Sequence, residues 1–163
     1  MPTSLMVPTS TVVGIDWLKT VPGLPSQQIN TTLPRTRDGA MRFDPWVESG
    51  FIQVNVTGGT PDTELEVSEP VYTITGWAIQ PNSKKPPVWT SNDLCQRIIV
   101  AVQNYRSHRR LIGRLATRPA YEDVIVNGVW PTTEPIEVEG DEAHMAGHSF
   151  DLAMRWTRLR GAR

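Results

Sequence analysis

A chain of 163 residues with 39% hydrophobic and 20% charged side chains has the size and composition of one folded domain, which excludes intrinsic disorder. A net charge of −1 and a pI near 6.3 lack the positive excess expected of a protein that wraps nucleic acid, where phosphate neutralisation supplies most of the affinity. The single cysteine, Cys95, cannot close a disulfide within the chain and fits a reducing compartment. The start Met1-Pro2-Thr3-Ser4-Leu5-Met6 has neither the basic region nor the long apolar core of a signal peptide. No apolar run approaches the ~20 residues that span a bilayer. The expectation is a soluble protein made in the cytoplasm, with no membrane partner.

Thr9 or Ser10 caps a first helix expected over residues 10–20, with Val13, Trp17 and Val21 on one face. Pro22-Gly23 ends it. Residues 29–33 read as a short strand before Pro34. Residues 35–44, with Arg35, Arg37 and Arg42, read as an exposed loop. Ile52, Val54 and Val56 alternate with Gln53, Asn55 and Thr57, which predicts a strand that Gly58-Gly59 stops. Residues 71–79 form a second strand, and Asp62, Glu64, Glu66 and Glu69 make an acidic hairpin tip between the two.

Residues 80–89 are a loop by composition, carrying Lys84, Lys85 and Trp89. Thr90 with Asp93 resembles a capping box for the main helix, which runs to about His108. Its apolar stripe is Leu94, Ile98, Ala101, Val102 and Tyr105, suited to lying across a sheet. A strand over residues 121–130 is interrupted by Asn127-Gly128, a tight-turn or bulge signal. Residues 131–140 are a polar, acidic stretch. Phe150, Leu152, Met154 and Trp156 then share one face of a final strand within residues 144–159, followed by a basic tail near 158–163. The sum is an α+β domain spanning residues 1–163: an antiparallel sheet of about four to five strands flanked by two helices.

Catalytic motifs are missing. There is no phosphate-cradling glycine loop, no nucleophile elbow and no H-E-x-x-H. Cys95 lies in the main helix without a histidine nearby in sequence and reads as a buried side chain. His144 and His148, with Asp141 and Glu142 ahead of them, suggest a metal site or a small metal-dependent enzyme. On a strand, however, the two histidines would stand ~13 Å apart, too far to share one ion. No catalytic, cofactor-binding or metal residues are therefore assigned.

Two charged segments remain. Glu134, Glu137, Glu139, Asp141 and Glu142 stand without a basic residue among them. Arg106, Arg109, Arg110, Arg114 and Arg118 follow the main helix, where cations suit the negative end of its dipole. The basic segment reads as a solvated helix end, as a protein contact or as a nucleic-acid contact. If copies of the chain form a ring, the basic segment of one faces the acidic segment of the next. The candidate subunit-interface residues are thus Arg106, Arg109, Arg110, Arg114, Glu137, Glu139, Asp141 and Glu142. Arg35, Arg37, Arg42, Lys84, Lys85 and Trp89, on exposed loops, are candidates for contacting other proteins.

An ordered set of short features carries a family resemblance over nearly the whole chain. It begins with Pro8-Thr9-Ser10, Trp17-Leu18, Pro22-Gly23-Leu24-Pro25 and Leu33-Pro34. Trp46, Gly50-Phe51 and Val54-Asn55-Val56-Thr57-Gly58-Gly59-Thr60-Pro61-Asp62 follow. Then come Trp77-Ala78, Pro81-Asn82-Ser83 and Lys85-Pro86-Pro87, and at the end Thr133-Glu134-Pro135 and Ser149-Phe150-Asp151-Leu152-Ala153-Met154-Arg155-Trp156. In this order they resemble the tail terminator proteins of long-tailed phages of actinobacteria. The resemblance implies a non-enzymatic virion protein of the neck, without cofactors. It implies a homohexameric ring on the head-proximal end of the tail that stops tube growth. Its partners would be the major tail tube protein and the head-closure or connector proteins, with DNA passing in the lumen without specific binding. Another neck component, a head-closure or tail-completion protein, is the nearest alternative.

Overall fold

The alternation of Phe150, Leu152, Met154 and Trp156 builds strand β7, Met145–Arg158, which forms the spine of the sheet. In the computed structural model, which describes residues 9–61, 67–115 and 124–158, six further strands join it. They are β1 (Ile29–Asn30), β2 (Phe51–Pro61), β3 (Val67–Ile79), β4 (Gly113–Arg114), β5 (Val124–Pro131) and β6 (Ile136–Glu139). The order is β1-β2-β3-β7-β5-β4, with β6 paired to β7 beyond the end of β5. Three helices, α1 (Ser10–Leu18), α2 (Val88–Gln103) and α3 (Tyr105–Leu111), complete the fold.

The class is α+β, as the sequence indicates, but the sheet is larger and mixed. It has seven strands, not four or five, and β1 pairs with β2 in parallel. The extra strands are two-residue edges, or, for β6, a strand inside the expected acidic stretch of 131–140. The described residues also hold three helices in place of two. The backbone of Asn104 turns extended between α2 and α3, and its side chain accepts from the N–H groups of Arg106 and Ser107. A cap therefore restarts the helix where the apolar stripe alone predicted continuity.

Other boundaries move for local reasons. Thr9 caps α1 as expected. Helix α2 starts earlier, at Val88 behind Pro87, with no side-chain cap, so Thr90 and Asp93 lie inside it. Gly58-Gly59 does not end β2. The strand absorbs a register shift between Val56 and Gly58 and continues to Pro61. The Asn127-Gly128 signal is a bulge: the β5–β7 register shifts between Val126 and Gly128. The acidic tip residues Asp62, Glu64 and Glu66, together with Arg118 and the basic tail beyond Arg158, lie outside the described residues.

One face of the sheet carries the main core. Val54, Tyr72, Ile74, Phe150, Leu152 and Met154 meet Val13 and Trp17 of α1 and Leu94, Ile98 and Val102 of α2. A second cluster closes one end of the sheet, where Met41, Trp46, Phe51, Ile79 and Met145 pack with Leu33, Phe43 and Trp77. Trp46 is fully buried and its Nε1 donates to the Arg42 carbonyl at 2.9 Å, so the loop of 35–44 is pinned at its base. The faces of β2, β3 and β7 away from the main core carry a largely part-buried polar network: Thr57 to Thr73, Thr73 to Asp151, and Thr75 to Ser149.

Close approach of α2 to the sheet depends on Gly76. A Cβ there would meet the Ser91 carbonyl at 2.8 Å and the Leu94 Cβ at 3.0 Å, both rigid atoms. Gly76→Ala should cost ~1–3 kcal/mol by forcing α2 outward. Urea unfolding of the variant measures it, and an unchanged midpoint would mean that α2 yields freely.

Candidate assembly surfaces

Strand β3 ends at Ile79 opposite Met145, where β7 begins, so three connections gather at this end of the sheet. They are residues 31–50, residues 80–87 and the turn at 140–144. The Gln80 N–H donates to the His144 carbonyl at 3.1 Å, tying two of them together. Arg35 ties in the third: its guanidinium reaches the Asp141 carboxylate at 3.2 Å and the Gly39 carbonyl at 3.0 Å. Arg35 and Asp141, expected on separate surfaces, thus form one exposed ion pair. Arg37, Arg42, Lys84 and Lys85 are exposed at the same end. Trp89, in the first turn of α2, is 87% exposed.

Glu137 and Glu139 stand on β6 opposite His148 and Ala146, and both are exposed, as are Asp141 and Glu142. Four carboxylates therefore line the margin of the sheet toward this end. Strand β6 pairs with β7 alone, so among the described residues its outer edge is open. Charged side chains on such an edge discourage indiscriminate strand pairing and admit a partner of opposite charge.

The basic residues occupy the other end. Arg106, Arg109 and Arg110 are exposed on α3, and Arg114 is exposed on β4. The Trp17 indole N–H donates to the Leu111 carbonyl at 2.8 Å, anchoring the last turn of α3 to α1. Register gives the separation from the acidic margin. Arg114 pairs with Ile125, which pairs with Thr157, whereas Glu137 pairs with His148. Positions 148 and 157 on one strand are ~30 Å apart at ~3.3 Å per residue. Glu137 and Arg114 therefore cannot meet within one chain.

The two histidines do not converge. His148 is buried, with Nδ1 at 2.7 Å from Ser91 Oγ, while His144 sits in the turn before β7. Among the described residues no group of three or more His, Cys, Asp or Glu could hold a metal ion. No helix there is long and apolar enough to cross a membrane. Sequence reasoning missed a polar cleft of about 600 Å³ between α2 and residues 131–135, lined by Asn92, Gln96, Gln103, Glu134 and His148. The spacing of its three amides along one helical face was the available signal.

No protein-family model matches this chain, and no curated protein matches its sequence.

Cys95 faces the sheet from α2, with its thiol donating to the His148 carbonyl at 3.1 Å. Burial pushes its pKa up to about 11, against a backbone hydrogen bond at Gly76 that pulls it down. The unfolded thiol ionises near 9.0, so between the two values the folded chain holds a proton that the unfolded chain has released. Raising the pH through that window should remove roughly 2 kcal/mol of stability. Urea midpoints from pH 8 to 11 test this. Cys95→Ala should flatten that part of the slope, and an identical slope in both proteins would contradict it.

Proposed function

We propose that this chain is an assembly protein without catalytic activity, a tail terminator of a long-tailed phage. Copies join end to end in a ring that caps the tail tube, stops its polymerisation and offers a surface to the head-connector proteins. The observation that carries the reading is the separation of charge. An acidic margin and a basic end lie ~30 Å apart on one subunit, beyond each other's reach within the chain. Two different complementary patches are what a heterologous contact needs, and such contacts generate a ring where the rotation closes.

Two further features support it. The ordered sequence features quoted above run over nearly the whole chain. The end bearing Arg37, Arg42, Lys84, Lys85 and the exposed Trp89 offers the cations and the aromatic anchor that protein contacts favour. In this reading that end meets the tail tube or the connector, and the protein resides at the head–tail junction of the virion.

Complementation tests the ring. Glu137→Lys with Glu139→Lys gives a chain with two basic patches, and Arg110→Glu with Arg114→Glu gives one with two acidic patches. Each alone should lose assembly, and an equimolar mixture should regain it as alternating rings with an even number of copies. Assembly by either variant alone, or none by the mixture, would contradict the contact. Loss of the gene from its phage should yield overlong tails without heads. Tails of normal length without heads would instead indicate another neck protein.

A further inference from the structure

We infer that the cleft between α2 and residues 131–135 is a peptide-binding site that takes the basic segment 159–163 of a neighbouring copy. The inference rests on the ring reading for the source of the peptide, but its geometry is independent of it.

His148 forms part of the cleft wall although it is only 8% exposed. Ser91 Oγ stands 2.9 Å from the Val88 carbonyl, to which it can donate, and 2.7 Å from His148 Nδ1; with the Ser91 proton on the carbonyl, Nδ1–H donates to Oγ. The lone pair then lies on Nε2, which takes no hydrogen bond from any described residue and is left for the cleft. A ring nitrogen at the cleft wall can accept from a donor on an incoming ligand.

The rest of the lining defines that donor. Asn92, Gln96 and Gln103 present primary amides, each able both to donate to and to accept from a peptide backbone. They extend ~16 Å along α2, the length of about five extended residues. Glu134 adds a carboxylate, and the cleft holds no lysine or arginine. Ile99, Pro131 and Pro135 supply apolar patches. An extended segment with arginines and one aliphatic side chain meets each of these demands, and Leu159-Arg160-Gly161-Ala162-Arg163 is such a segment.

The segment must come from another copy. His148 and Arg158 lie ten residues apart on β7, ~33 Å, whereas residues 159–163 span at most ~18 Å when fully extended. In a head-to-tail arrangement the end of β7 in one copy approaches the cleft side of the next.

The test uses the full chain and a synthetic peptide of residues 156–163. Titration should shift the side-chain amide NMR signals of Asn92, Gln96 and Gln103 and the His148 Nε2 resonance. Gln96→Ala with Glu134→Gln, both at solvent-accessible positions, should weaken the peptide at least tenfold without lowering the melting temperature. Deleting residues 159–163 should weaken self-association by a similar factor. Shifts absent at millimolar peptide, or an affinity unchanged in the double variant, would overturn the inference. Rings formed undiminished by the truncated chain would also overturn it while leaving the ring intact. Peptide binding by a chain that never forms rings would remove the ring and keep the cleft.

Discussion

Helix α2 lies against β3 and β7 at a distance that only a missing Cβ at Gly76 permits. Much of the molecule's surface follows from that contact. It buries Ser91, Leu94, Cys95 and Ile98 against the sheet and brings Ser91 onto His148. It fixes which face of α2 remains outside, and so sets Asn92, Gln96 and Gln103 opposite residues 131–135. It also sets the direction of α2. The helix starts beside the connections at one end of the sheet and delivers α3, with its arginines, toward the other.

Strand β7 converts that arrangement into a distance. Its 14 residues carry β6 near one end and β5 with β4 near the other, so the acidic margin and the basic end cannot neutralise one another. Exposed pairs within the subunit, such as Arg35 with Asp141, contribute at most about 1 kcal/mol. A second copy can bring the acidic margin of one chain within reach of the basic end of another, where burial strengthens their attraction. The same geometry explains why the proposed contact should weaken with salt.

The elements legible in the sequence were those with a strong period. Alternation in β2 and β7 and the stripe of α2 fixed the core, including Trp17 and Trp156, as buried. Strands β1 and β4 have two residues each, too few to carry any period. Strand β6, Ile136-Glu137-Val138-Glu139, does alternate, but its place among carboxylates and prolines made it read only as a polar, acidic stretch. The break at Asn104 needed the cap geometry, because the hydrophobic stripe passes through it unaltered. Of the candidate surface, the signs and exposure of the charges were legible. The Arg35–Asp141 pair and the His148 cleft were not, since the pair joins residues 106 positions apart and the cleft joins α2 to residues about 30 to 55 positions away.

The most direct test of the account is the mass of the native assembly, measured by mass photometry across protein concentration and ionic strength. The account predicts a closed species of about six chains at low salt that dissociates as salt rises, with no continuous ladder of larger polymers. A monomer at every concentration and salt, or an assembly indifferent to salt, would contradict a ring held by opposed charged ends.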